Sequence, residues 1–502
     1  MLLVHLALIG RLELVYDEAY YQLWSRHLSW GYLDHPPMVA AWIRVSTAVF
    51  GQSEFGVRAW SVLAIAGGAL VIFSTARALM DSRAIAALSV LFYNAMLLIA
   101  IGGIIVTPDA PLVAFWTLAI CGLAKVLRTG DWRWWLLVGV SAGLALLSKY
   151  TALFLGAGIA LSMTVVPGLR HWWRHPAPYG AAALALVIFA PVIVWNADHE
   201  WASFLKQFGR TAPKALTLRY LAEFAGAQAG LMNPFVFVLA AAGCGVTFKS
   251  ARSGAQNGRA GSMANQGRTL LLASVLPALV YFFWHALHDR VQGNWPAPIY
   301  PALAILAADA AWRAEQFGPR LRRVLETSRR LALPTGLALT AIVYLQAVAA
   351  PLALGRKDPT SQLSGWRALA QDVEAVAGRV NAGYILTSGY ALTSHLGVYM
   401  PAARPVIQYN ERLRWIFQPP PDAAILGRRA LYVAEDGKDR VAELRARFES
   451  VAEVARLSRY RGKQPLETFV VYRVETPTGA VLDQPVAISR GRSQAQSKDR
   501  LP

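Results

Sequence analysis

The chain has 502 residues, 55% of them hydrophobic and 16% charged, with a formal net charge of +19. A soluble protein of this length carries about 25% charge, so a soluble globular class is excluded. The basic balance does not mark a nucleic-acid binder, because the arginines and lysines gather in short loops between apolar runs, which is the topology signal of a membrane protein.

Residues 2–15 read as a short first span, without the basic start or small-residue cleavage site of a signal peptide. The stretch 16–58 is too polar to span. Within it, 17–30 predicts a helix lying in the interface, with Tyr20, Tyr21, Trp24 and His27 near the headgroup level. Gly31 and Pro36-Pro37 break that helix, and 38–50 predicts a second one. The runs 84–106, 179–197, 224–248 and 331–355 carry no charge, and each reaches the length of about 20 residues that a hydrocarbon core requires. Together with shorter segments they give about eleven candidate spans, at 2–15, 59–76, 84–106, 110–125, 134–148, 151–167, 179–196, 226–248, 269–287, 296–312 and 331–350. In lipid a helix satisfies its own backbone, so the expected class is a polytopic α-helical membrane protein. Cys121 and Cys244 fall inside apolar runs and are expected as buried free thiols.

The loops fall into two sets. One holds Arg77, Arg83, Lys125, Arg128, Arg133, Arg170, Arg174, Lys249, Arg252, Arg259, Arg268 and six arginines in 313–330, in all 17 basic against 4 acidic residues. The other (16–58, 107–109, 148–150, 198–223, 285–294) holds 9 basic and 9 acidic residues. The first set is expected in the cytoplasm and the second outside, in the periplasm of a Gram-negative cell. An odd number of spans puts the C-terminal region outside as well. Residues 1–355 then form the membrane unit, with 16–58 as its first outer loop. Residues 356–475 change composition. They predict a helix at 363–377, short strands at 384–387, 430–434 and 469–474, and a helix at 441–456, together a small periplasmic α/β domain. From Thr476 to 502 the chain is polar and is expected to be disordered.

The outer loops carry the candidate chemistry. Asp17 and Glu18 fit a helix N-cap followed by a first-turn acid, and such a site also keeps a carboxylate ready as a base. Asp109, between Pro108 and Pro111, reads as a cap or as a second acid facing Asp17 across a cleft. His35, in Asp34-His35-Pro36-Pro37, is a turn residue or a substrate contact. It has no neighbours at a metal-ligand spacing. Lys149 reads as a snorkelling interfacial lysine or as a cation for an anionic group. Arg290, the basic residue of 285–294, supports the second reading, because arginine and lysine together grip phosphate.

The ordered set of motifs resembles a known family. Tyr16-Asp17-Glu18-Ala19-Tyr20-Tyr21 and Gly31-Tyr32-Leu33-Asp34-His35-Pro36-Pro37 open it. Phe50-Gly51, Val57-Arg58, Thr107-Pro108-Asp109-Ala110-Pro111, Ser148-Lys149-Tyr150 and Asn294-Trp295-Pro296 follow. The chain is similar, over about 10–310, to membrane glycosyltransferases of the GT-C class. Within that class it resembles the bacterial protein-mannosyltransferase-like group, which includes lipid A aminoarabinose and galacturonosyl transferases. The resemblance implies a GT-C fold and a polyprenyl-phosphate-linked sugar as donor. It implies transfer at the periplasmic face of the inner membrane to lipid A, another glycolipid, a polysaccharide or a protein. It makes Asp17 the base, with Glu18 and Asp109 as further catalytic acids. Lys149 and Arg290 become candidates for the lipid phosphate, and Tyr20, Tyr21, Asp34, His35, Tyr150 and Asn294 the expected substrate contacts. It fixes no cofactor, and a divalent metal stays open. No nucleic-acid partner is expected. Two competing classes remain at this level: a transporter or flippase of a lipid-linked sugar, and a non-catalytic envelope scaffold.

Overall fold

The structure is a computed structural model that describes residues 1–209, 215–257, 262–352 and 354–485. Arg210, Lys214, Arg259, the side chain of Arg252 and the tail 486–502 lie outside the described residues. Among the described residues, sixteen α-helices make the first part: α1 (Leu2–Leu8), α2 (Tyr16–Arg26), α3 (Met38–Phe50), α4 (Glu54–Met80), α5 (Arg83–Asn94), α6 (Leu97–Gly102), α7 (Asp109–Thr129), α8 (Trp134–Ser148), α9 (Leu153–Val165), α10 (Pro176–Asp198), α11 (Ala202–Phe208), α12 (Arg219–Leu231), α13 (Pro234–Asn257), α14 (Met263–Ala286), α15 (Tyr300–Trp312) and α16 (Pro319–Ala349). Among the described residues, α4, α7, α10, α14 and α16 are long and apolar enough to cross a membrane, and two sharply bent helix pairs raise the number to seven.

Three expected spans take another form. The segment 2–15 holds only the seven-residue α1 and then turns. The uncharged run 84–106 breaks between α5 and α6 at Ala95 and Met96. The run 226–248 is bent by 110° between α12 and the helix that starts at Pro234. Hydropathy records composition and is blind to such corners. Asn233 turns the second one with φ of 75°, a region asparagine tolerates. Its side-chain amide donates to Ala332 O at 2.6 Å and to Ala95 O at 3.3 Å. One asparagine thus ties the two breaks together and reaches into α16, satisfying the Ala95 carbonyl at the first break and meeting the Ala332 carbonyl inside that helix.

Charges sort the two ends of the bundle. Asp81 lies between Arg77 and Arg128, and buried Asp309 accepts from both Arg268 and Arg313, so several loops of the basic set meet at one end. The starts of α7 and α15 and the ends of α8 and α14 meet at the other, where α2 and α3 also lie.

The rest of the chain is the α/β unit: α17 (Trp366–Arg379), β1 (Tyr384–Thr387), α18 (Tyr390–Tyr399), β2 (Val406–Gln408), α19 (Ala423–Leu426), β3 (Ala430–Glu435), α20 (Val441–Arg445), β4 (Phe448–Arg461) and β5 (Gln464–Pro477). Its five-stranded sheet has the order β2-β1-β3-β5-β4, with β1 parallel to both neighbours and β5 antiparallel to both of its own. The helix expected over 441–456 ends at Arg445, and after a two-residue turn the chain is strand from Phe448. Its alanines, glutamates and arginines favour helix locally, but pairing along the whole of β5 outweighs that preference. The ordered chain also runs past Thr476. β5 ends at Pro477, and Asp483 donates its N–H to Tyr409 O and pairs with Arg447 at 2.5 Å.

This unit is docked firmly on the helical part. Tyr20, Trp24 and Tyr32 share one buried cluster with Trp415, and Tyr390 and Phe417 pack against it. Glu13 accepts the N–H of Trp366 at 2.6 Å, and Leu14 N–H donates to the Tyr399 hydroxyl at 2.9 Å.

Candidate active site

Helix geometry separates the two adjacent acids. Successive residues on a helix are turned by about 100°, so Asp17 and Glu18 in the first turn of α2 face different neighbours. The N-cap is Val15 rather than Asp17. Glu18 turns inward and is fully buried. It accepts Arg58 Nε at 2.8 Å and Nη2 at 2.5 Å, Val15 N–H at 3.1 Å and Val106 N–H at 2.8 Å. A carboxylate with four donors and no opening to a cavity has no route to a substrate. Its expected catalytic role is replaced by a structural one.

Asp17 turns the other way, onto a cavity of about 520 Å³. Tyr16, Tyr21, His35, Asp109, Lys149, Tyr150, His285, Asn294 and Trp295 line the same space. The chain thus brings five separate stretches of sequence to one end of the bundle. Asp109 opens α7 and is nearly buried. It accepts Lys149 Nζ at 2.7 Å on one oxygen and the Asn294 amide at 2.6 Å on the other. Lys149 follows the last turn of α8 in extended backbone, which swings its side chain back to α7. The Tyr150 hydroxyl lies 2.8 Å from that of Ser203.

Asp34 is close by but is bound by protein groups. It pairs with Lys206 at 2.6 Å and Arg414 at 2.6 Å and accepts the Tyr20 hydroxyl at 3.0 Å. Despite its burial, those two cations hold its carboxyl far below the usual range. Tyr20 is buried in the aromatic cluster, so Tyr20 and Asp34 support the site from behind rather than line it. Arg290 is not on the cavity. It is 55% exposed and paired with Glu223 at 2.9 Å.

The Asp17 carboxyl is pushed up to about 7, by burial first and by the neighbouring negative charge of Asp34 next. The Tyr390 hydroxyl, which donates to Oδ1 at 3.4 Å, and the charge of Arg414 pull the other way. An acid poised near neutrality is what proton transfer at ordinary pH requires.

Sequence reasoning missed Tyr390 and Arg414, which reach the first loop from the C-terminal unit and carried no local signal. It also missed Lys206, which pairs with Asp34 of the first loop. Among the described residues, no group of three or more His, Cys, Asp or Glu side chains is disposed to hold a metal ion. Cys121 and Cys244 are free thiols.

A second cavity, of about 220 Å³ and almost wholly apolar, adjoins the first. Thr107, Asp109 and Asn294 line both, and Ile65, Leu98, Ile99, Ile101, Ile105 and Val113 of α4, α6, α7 and the 103–108 turn supply the apolar wall.

The chain is similar to several known proteins. Residues 34–195 match the family described as dolichyl-phosphate-mannose-protein mannosyltransferase. The lipid A galacturonosyltransferase RgtD of Rhizobium johnstonii is 26% identical over 63% of this chain and 65% of its own length. An undecaprenyl phosphate-α-4-amino-4-deoxy-L-arabinose arabinosyl transferase of Erwinia tasmaniensis is 26% identical over 54% of this chain and 48% of its own. The chain therefore spans under two thirds of these curated relatives. The crystal structure of ArnT from Cupriavidus metallidurans bound to undecaprenyl phosphate superposes with a TM-score of 0.64 at 16% identity, covering 94% of this chain and 96% of that one. Its apo form gives 0.61. The resemblance to the protein-mannosyltransferase-like GT-C group holds: the chain has the fold of the ArnT structures and, over residues 34–195, the sequence pattern of the mannosyltransferase family.

Proposed function

We propose that the chain is a glycosyltransferase that moves a sugar from a polyprenyl-phosphate donor to a hydroxyl of a glycolipid of the lipid A kind, at the periplasmic face of a bacterial inner membrane. The observation that carries this reading is the junction of the two cavities. Asp17, Asp109, Lys149 and Asn294 line the polar one, and it meets the apolar one at Asp109 and Asn294. A donor with an anionic neck between a sugar and a hydrocarbon tail has that same division. The relatives support the substrates, since their names specify undecaprenyl-phosphate sugar and lipid A. These relatives are named as transferases and not as transporters.

In the proposed reaction the ionised Asp17 takes the proton of the acceptor hydroxyl. The freed oxygen pair attacks the anomeric carbon from the face opposite the phosphate, and the C–O bond to phosphate breaks. Polyprenyl phosphate leaves with the electron pair, and the anomeric configuration inverts. Lys149 has three N–H donors. One is held by Asp109, so the others are available to the phosphate. Asp109 and Asn294 keep the ammonium in place without cancelling its reach. Water would compete with the acceptor, and the aromatic lining of Tyr16, Tyr21, Phe154 and Trp295 serves to exclude it.

The test is purified protein in nanodiscs with radiolabelled polyprenyl-phosphate sugar and lipid A. Labelled lipid A is the expected product. Label that stays on the polyprenyl lipid with every acceptor offered would remove the reading. Lys149→Ala is expected to lower transfer on the order of 10²-fold, as loss of a donor to developing charge does, with Lys149→Arg less affected. Arg290→Ala is expected to leave transfer close to the parent, since the side chain is exposed and off the cavity. Initial rates of both, side by side, separate a phosphate contact from a surface ion pair.

A further inference from the structure

We infer that the C-terminal α/β unit completes the reaction centre, with Tyr390 and Arg414 acting as positioning residues for the Asp17 carboxylate. This rests on the reading of Asp17 as the base.

Tyr390 is the first residue of α18, and its hydroxyl donates to Asp17 Oδ1 at 3.4 Å. Its ring meets Tyr16 and Tyr20 edge-on, with centroids 5.7 Å apart in each pair. Arg414 sits on a short 3-10 turn at Arg412–Trp415. Its guanidinium lies 4.5 Å from the Tyr390 ring centroid and 5.7 Å from that of Tyr20, and it pairs with Asp34 at 2.6 Å. Trp415, next in sequence, is buried against Tyr20 with centroids 5.4 Å apart. The turn is therefore held by a core and not by the ion pair alone.

These contacts have a direct chemical consequence. A base must be anionic before the transfer and neutral after it. A hydroxyl that donates to the carboxylate favours the anionic form and orients the oxygen that is to receive the proton. Asp34 opposes this, since two facing carboxylates resist ionising together. Arg414 and Lys206 neutralise Asp34, and Arg414 also clamps the Tyr390 ring from its face.

The other groups around Asp17 leave this role to the C-terminal unit. On α2 itself, Glu18 is committed to Arg58, and Tyr16, Tyr20 and Tyr21 are neutral phenols. His35 comes from the first-loop turn. Across the cavity, Asp109 is paired with Lys149, and His285 lines the far wall. Burial and Asp34 push Asp17 up, while Tyr390 and Arg414 counter them from the C-terminal unit.

The experiment is the pH–rate profile of sugar transfer by the full chain in nanodiscs, for the parent, Tyr390→Phe, Arg414→Gln and Arg414→Lys. Arg414→Gln is expected to move the acidic limb upward by about one pH unit, a loss of about tenfold near pH 6 that shrinks toward high pH. Tyr390→Phe is expected to move it the same way. Arg414→Lys keeps the charge and is expected to restore most of the limb. The donor KM should change little beside kcat. Acidic limbs of Arg414→Gln and Tyr390→Phe that coincide with the parent's would overturn the inference. If Arg414→Gln does not fold, Tyr390→Phe, which deletes one hydroxyl, decides. Asp17→Asn tests the underlying reading separately. An inactive Asp17→Asn with unmoved limbs removes only the positioning role, whereas an active one removes the base.

Discussion

Asp17→Asn is expected to cut sugar transfer on the order of 10³-fold, the usual contribution of a positioned general base, while the protein stays folded. The amide fills the same volume and accepts the Tyr390 hydroxyl, but it has no charge with which to take a proton. The parent's rate should rise with pH along a limb centred near 7, because the carboxyl is pushed up to about 7 and only its ionised form accepts the acceptor's proton. Stability runs the opposite way through the same group. In the unfolded chain the carboxyl releases its proton near its ordinary value of 3.8, so between about 4 and 7 the folded state binds more protons. The slope of stability with pH follows unfolded minus folded protons bound. This group's contribution therefore falls as pH climbs through that window, where the rate is climbing. Asp17→Asn should flatten both dependences together. Thermal unfolding and initial rates measured across pH 5 to 8 check the pair, and a mutant that keeps its rate ends the base assignment.

What the sequence revealed of this site follows from what the residues had to do. Loop charges and the ordered motifs were enough to bring Asp17, Asp109, Lys149 and Asn294 to one end of the bundle, because each sits where an apolar run stops. They could not say which charges would spend themselves on one another. Arg290 looked like a phosphate cation because its loop offered no other base, yet it pairs with Glu223, which lies 67 residues away in sequence. Arg58 was counted in a loop, although it lies inside α4 and binds Glu18. Asp17 as base and Glu18 as a further catalytic acid were both expected at the site, but the 100° turn per residue set one on the cavity and the other in the core. Tyr390 and Arg414 were beyond reach, since their partners Asp17 and Asp34 lie 373 and 380 residues away and nothing local marks such a contact. The α/β unit was legible as strands because its apolar runs are short and β-branched. The β4–β5 hairpin was not, because its first strand is spelled in helix-favouring residues.

Breaking the Glu18–Arg58 pair is expected to cost about 3–5 kcal/mol of stability, the range for removing one partner of a buried ion pair. Both side chains are out of contact with water. Arginine has five N–H donors, and here five bonds engage them. Two go to Glu18, and the others reach the carbonyls of Ile9, Leu12 and Glu13 at 2.9, 2.7 and 2.9 Å. Glu18 in turn accepts Val106 N–H just before the turn that leads to Asp109. One pair thus joins the N-terminal segment, α2, α4 and the approach to α7, and so fixes Asp17 relative to Asp109. Arg58→Met leaves an uncompensated carboxylate and three carbonyls without donors. Glu18→Gln leaves an uncompensated guanidinium. Replacing both by methionine removes both charges, and since an apolar pair of similar volume substitutes well for a buried ion pair, the double mutant should be more stable than either single one. Its transfer rate should still fall, because Val15 and Val106 lose their acceptor and the first turn of α2 loosens. Melting temperatures of the three variants in one detergent, set beside their rates, distinguish this from a catalytic role. If Glu18→Gln melts with the parent yet loses transfer, Glu18 belongs to the chemistry after all. If it melts early and loses transfer in proportion to the unfolded fraction, the carboxylate is what the geometry makes it, the anchor that holds Asp17 in place.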